Sequence, residues 1–116
     1  MEDDCIFCKI ASKEISKDLV YEDENFIGFL DINPRADGHT LIVSKKHYKS
    51  LLDIPNSLGN ELQEAVKKAG LDLINSGKAE GFNVLVNVGE VADQVVHHLH
   101  IHAIPRNDGD SVRLFS

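Results

Sequence analysis

The stretch His97-His98-Leu99-His100-Ile101-His102, followed by Ala103-Ile104-Pro105-Arg106, decides how this chain is read. It holds four of the six histidines of the 116-residue sequence. His98, His100 and His102 recur at every second position, with Leu99 and Ile101 between them and Val95 and Val96 ahead. Apolar residues alternating with polar ones predict a half-buried β-strand. Strand side chains two apart share a face, about 7 Å from one to the next. The three imidazoles therefore line one face. Leu99, Ile101 and Ala103 turn the other way into a core, and His97 also alternates away from the row. A single strand histidine is ordinarily a solvated surface residue. Three at period two suit a nucleophile, anion-binding groups or metal ligands. The run is interrupted and internal, so it is not an affinity tag.

The chain is expected to form one domain over 1–116, long enough for a single core. Its 42% hydrophobic fraction fits a globular protein. No apolar run approaches the roughly 18–20 residues of a membrane span. Met1-Glu2-Asp3-Asp4 lacks the basic-then-apolar order of a signal peptide, so a cytoplasmic location and no membrane partner are expected. A net charge of −7 argues against a nucleic-acid surface. It leaves room for a small anionic ligand in a local pocket. No Gly-rich phosphate loop is present.

Cys5-Ile6-Phe7-Cys8 contains both cysteines. In a cytosolic chain such a pair reads as a metal half-site or a redox pair, or as two incidental buried cysteines. A tetrahedral zinc site needs two more ligands. His47 and one histidine of the row can supply them, and spacing alone does not say which one. Residues 19–22 and 26–31 read as a β-hairpin across Asp23-Glu24-Asn25, ended by Asp31-Ile32-Asn33-Pro34. Asp31 stands at a strand end, where polar groups often meet ligands. Residues 38–43 form a third strand with His39 at its start, and Lys45, Lys46 and His47 follow it. Leu58, Leu62, Ala65, Val66, Ala69 and Leu73 make one apolar helical stripe, capped by Asn56 or Ser57 and stopped at Ser76-Gly77. Gly70 inside that helix costs about 1 kcal/mol against Ala. Residues 82–88 form a fourth strand, antiparallel to the histidine strand across a short loop at 90–94. Asn87 and Gln94 can reach a ligand beside the row. Regular structure is expected to end at Pro105-Arg106.

His98-Leu99-His100-Ile101-His102 resembles the motif of the histidine-triad (HIT) family. Cys5-Ile6-Phe7-Cys8-Lys9-Ile10, Tyr21-Glu22-Asp23, Asp31-Ile32-Asn33-Pro34, Gly38-His39, Lys45-Lys46-His47, Asn87-Val88-Gly89, Gln94 and Ile104-Pro105-Arg106 follow in family order. The resemblance runs to about Asp110 and is to the branch that holds adenosine phosphoramidate hydrolases. It implies an α+β fold, a five-stranded antiparallel sheet with two helices, dimerising into a continuous sheet. It implies hydrolysis of purine nucleoside phosphoramidates or related nucleotidyl conjugates, with AMP or GMP as the nucleotide. His100 would attack the α-phosphate and form a nucleotidyl-histidine that water cleaves. His98, His102 and His39 would complete the catalytic set. Asp31 would hold the ribose, and Ile6, Phe7, Ile10, Phe29 and Ile32 would line the base pocket. Asn87, Gln94 and Val95 would stand on the phosphate or leaving-group side. Structural zinc would bind Cys5, Cys8, His47 and His98, with no catalytic cofactor.

The imidazole pKa near 6.5 suits this chemistry, since much of the ring is neutral and nucleophilic at pH 7. The attacking nitrogen is available only if the other one donates its proton to an acceptor. A backbone carbonyl is the expected acceptor. Asp93-Gln94-Val95 departs from the Gly-Gln-Ser or Gly-Gln-Thr of many members. The lost hydroxyl removes leaving-group assistance, and Asp93 adds negative charge. No Trp occurs in the tail. Alternative readings are a diadenosine polyphosphate hydrolase, a non-catalytic nucleotide-binding or interaction protein, and a metal held catalytically by the histidine row. The last conflicts with zinc at His98.

Overall fold

A computed structural model describes residues 4–114. Its helices are α1 (Ile6–Ala11) and α2 (Gly59–Asn75), and its strands are β1 (Tyr21–Glu22), β2 (Phe26–Leu30), β3 (Thr40–Ser44), β4 (Gly81–Leu85) and β5 (His100–Arg106). The strands form one antiparallel sheet in the order β1-β2-β3-β5-β4. This is the α+β architecture expected from the sequence. Among the described residues no helix is long and apolar enough to cross a membrane.

Each helix covers one sheet face. Ala65, Ala69 and Leu73 of α2 pack with Phe26, Ile42, Leu99, Ile101 and Ala103. On the opposite face Cys5, Phe7, Cys8 and Ile10 pack with Ile27, Phe29, Leu41 and Val43. The alternation along each strand thus separates two cores, as period-two geometry requires.

Several boundaries differ from the sequence expectation. The histidine strand begins at His100, and His98 lies in the bend before it. There the Leu99 N–H goes to the Tyr48 carbonyl at 2.7 Å. β5 continues through Pro105 to Arg106. β3 pairs no further than Ala103, which leaves one side of β5 without a ladder bond to lose. β4 stops at Leu85, short of Val88. The α2 cap expected at Asn56 or Ser57 is replaced by a 3₁₀ turn over Asn56–Leu58, with no side-chain cap. Gly77 does end α2 with a φ of +80°. Gly70 has a packing reason that the helical stripe conceals. A Cβ there would lie 2.0 Å from Phe82 Cζ, so the aromatic ring sits directly on the helix backbone.

Candidate active site and metal centre

The register aligns two cross-strand rows on the α1 face. Ile27, Val43 and His100 form one, and Phe29, Leu41, His102 and Leu85 the other. The His100 and His102 rings are 5.3 Å apart. His98 reaches the same side from the bend, and the Phe7 ring meets both His98 and His100 edge-on.

Hydrogen bonds assign a tautomer to each ring. His100 Nδ1 lies 2.7 Å from the His98 carbonyl oxygen, which can only accept. Nδ1 therefore carries the proton, and Nε2 keeps a lone pair. His39 Nδ1 accepts from the Arg35 N–H at 3.0 Å, so its proton is on Nε2. That Nε2–H donates to His102 Nδ1 at 2.9 Å, and the His102 proton is left on Nε2. Asp31 Oδ2 lies 3.6 Å from His39 Nε2. One site thus presents a lone pair from His100 beside an N–H donor from His102. Burial pushes the His102 pKa down to about 4, with the positive charges His100 and His39 can carry adding to it. Burial also lowers His39, against the pull of Asp31. Both rings are neutral at pH 7.

The His102 shift carries a stability consequence. Between its ordinary 6.5 and about 4, the unfolded chain binds a proton there that the folded chain does not. Stability therefore rises with pH through that window and is lost as pH falls from 6.5 towards 4. The drop in Tm from pH 7 to pH 5 should be smaller in His102→Gln than in the wild type. Equal drops would show that His102 does not titrate as its surroundings dictate.

A second cluster has its lone pairs converging. Cys5 caps α1, its sulfur accepting from the Cys8 N–H. His98 Nδ1 lies 3.2 Å from Cys5 Sγ and 3.4 Å from Cys8 Sγ, and His47 Nδ1 lies 3.2 Å from Cys8 Sγ. His98 Nε2 donates to the Ser44 carbonyl at 2.7 Å, which frees Nδ1 for the sulfurs. Burial pushes the His98 pKa down to about 4, keeping the ring in the neutral form that a metal binds. All four ligand atoms lie within 4.8 Å of one another. Sulfur and nitrogen on one tetrahedral zinc stand about 3.5 Å apart, given bonds of about 2.3 and 2.0 Å. The four residues fit that ion. Asp31, His39 and His102 are equally close. They do not fit a metal, because the His39 Nε2 proton already occupies the gap and the Arg35 N–H blocks its transfer to Nδ1.

The remaining expected site residues fall around this centre. Phe7, Ile10 and Phe29 are buried, whereas Ile6 is 47% and Ile32 77% exposed. Asp31 follows β2, and its Oδ1 accepts from the Asn33 N–H. Asn87 Nδ2 reaches the Asp93 carbonyl at 3.4 Å. Gln94 is buried, and its amide is used within the fold. Its Oε1 accepts from the Gly89 N–H, and its Nε2 donates to the Lys49 and Val96 carbonyls. It shapes the loop rather than offering a free amide to a ligand. Val95 is 82% exposed. Asp93 takes a φ of +68°, which explains glycine at this position in the motif it departs from. His97 faces Glu90 at 3.3 Å, away from the row. Sequence reasoning missed the Ser44 carbonyl and the Arg35 N–H, because backbone groups leave no mark on residue identity.

The model of the HIT domain matches residues 12–109 of this chain. The chain belongs to the HIT family. Among its relatives is an uncharacterised HIT-like protein of Methanocaldococcus jannaschii, 46% identical over 91% of this chain and 81% of that one. An adenosine 5′-monophosphoramidase of Candida albicans is 43% identical over 90% of this chain and 71% of that protein. Among solved structures, a zinc-bound histidine triad family protein of Mycobacterium smegmatis superposes with a TM-score of 0.89. It is 36% identical and is covered to 81%, against 96% of this chain. The family's triad motif falls here on His98, His100 and His102, with His98 turned to the cysteines and His102 to His39.

Proposed function

We propose that this HIT protein hydrolyses purine nucleoside phosphoramidates, or related nucleotidyl conjugates, at the α-phosphate. The observation that carries the reading is the 2.7 Å bond from His100 Nδ1 to the His98 carbonyl, which leaves Nε2 as the nucleophile. Nε2 attacks phosphorus, and the bond from phosphorus to the leaving nitrogen breaks as that nitrogen, protonated from solvent, departs as the amine. Water then cleaves the Nε2–P bond and releases the nucleoside monophosphate. The His102 Nε2–H, held by His39, donates to a phosphoryl oxygen as charge gathers there. Asp31 binds the ribose hydroxyls at the end of β2. Cys5, Cys8, His47 and His98 would hold zinc, which would supply a structural cross-link between α1, the exit of β3 and the entry to β5. Val95 offers no hydroxyl to the leaving group, so the rate with simple amines should be modest.

A homodimer completes the reading. Among the described residues the sheet has two free edges, and β1 is only two residues long. β4 is five residues long and leaves Val84 half exposed. It is the edge able to pair with a second copy.

The test is a rapid quench of wild type with adenosine 5′-phosphoramidate, followed by denaturing mass spectrometry. An adenylyl adduct mapped to His100 is expected. Release of AMP with no adduct at His100 under any quench time would refute the covalent route. Binding of AMP without hydrolysis would favour a nucleotide-binding protein.

A further inference from the structure

We propose that Lys17 sets the base preference of the nucleotide site, favouring six-oxo purines such as guanine over adenine. The inference rests on the nucleotide reading above and deepens it. Lys17 lies on the segment between α1 and β1, partly buried, with Nζ 5.3 Å from the centroid of the Phe29 ring. Phe29 begins the row that runs through Leu41 to His102. Phe29, which Lys17 overlies, is the end of that row away from the phosphate histidines, two strand spacings or about 10 Å from His102 across the sheet. A nucleotide with its phosphate at His100 and His102 and its ribose at Asp31 directs its base to this end.

The ammonium is available for a ligand. Among the described residues Lys17 makes no ion pair, whereas Lys13 and Lys45 both hold Glu22. The stem of Lys17 lies with Ile10, Ile15 and Leu19 along a cavity of about 110 Å³. That is well under the roughly 300 Å³ of a ligand pocket, so this cavity is too small for a base, and the Lys17 stem forms part of its wall. A base lying along Phe29 would meet the charged tip at its edge. An ammonium only donates hydrogen bonds. Guanine presents two acceptors, N7 and O6, along one edge, while adenine places an amino donor beside N7. Lysine thus matches guanine or hypoxanthine and opposes the adenine amino group.

Calorimetric titration of the full chain with GMP, IMP and AMP tests this. GMP and IMP should bind about tenfold more tightly than AMP. IMP lacks the 2-amino group, so its preference isolates O6 and N7. Lys17→Met keeps an apolar stem and should bring IMP and AMP within about twofold, while Lys17→Arg should retain the preference. Equal affinity for IMP and AMP in the wild type, or a preference that survives Lys17→Met, would overturn the proposal and leave the nucleotide reading standing. Failure of all three nucleotides to bind would overturn both.

Discussion

His100→Ala should lower hydrolysis of adenosine 5′-phosphoramidate by about 10⁴-fold or more, the scale seen when a covalent nucleophile is removed. AMP affinity should change only a few-fold, because Asp31, the base pocket and His102 remain. The size of the effect follows from the geometry. His39 has its Nδ1 bonded to Arg35 and its Nε2 proton given to His102, so neither nitrogen can replace the lost nucleophile. His102 Nδ1 accepts that proton and is equally committed. His98 faces the sulfurs and the Ser44 carbonyl. Steady-state rates beside AMP titrations decide it. Activity within about tenfold of wild type would mean that another group does the chemistry.

Stripping metal from the Cys5, Cys8, His47 and His98 cluster should lower Tm and activity together. Zinc at a thousandfold above its Kd contributes about 4 kcal/mol to the folded state. In a domain of this size that is a Tm shift on the order of 10–20 °C. Activity should fall with it, since the residue that would bind zinc through Nδ1 also supplies the carbonyl that orients His100. Melting curves and rates for protein treated with a strong chelator, and for Cys8→Ala, measure both. Restoration of Tm and rate by added zinc in the treated wild type, but not in Cys8→Ala, is the expected pattern. A protein that contains zinc as purified and keeps its Tm on losing it would show that the cluster is not a structural site. Loss of Tm with an unchanged rate would break the link from His98 to His100.

Much of this arrangement was legible beforehand. The period-two row put His100 and His102 on one face and Ile101 and Ala103 on the other, because strand alternation is local geometry. The stripe from Leu58 to Leu73 gave α2 for the same reason. The paired cysteines and the histidines narrowed the metal ligands to a few residues, and the family resemblance chose His98 among them.

Tertiary structure decided the rest. Whether His100 offers Nδ1 or Nε2 depends on the His98 carbonyl, and the state of His39 on the Arg35 N–H. The metal-facing nitrogen of His98 depends on the Ser44 carbonyl. Gln94 turned inward because three backbone groups meet there, and Gly70 is needed because Phe82 rests on it. Every residue carries a carbonyl, and all but proline an N–H, so no letter of the sequence marks the one that will matter. Only the fold brings a particular backbone group within 3 Å of a particular ring nitrogen, and that distance sets the tautomer on which the chemistry depends.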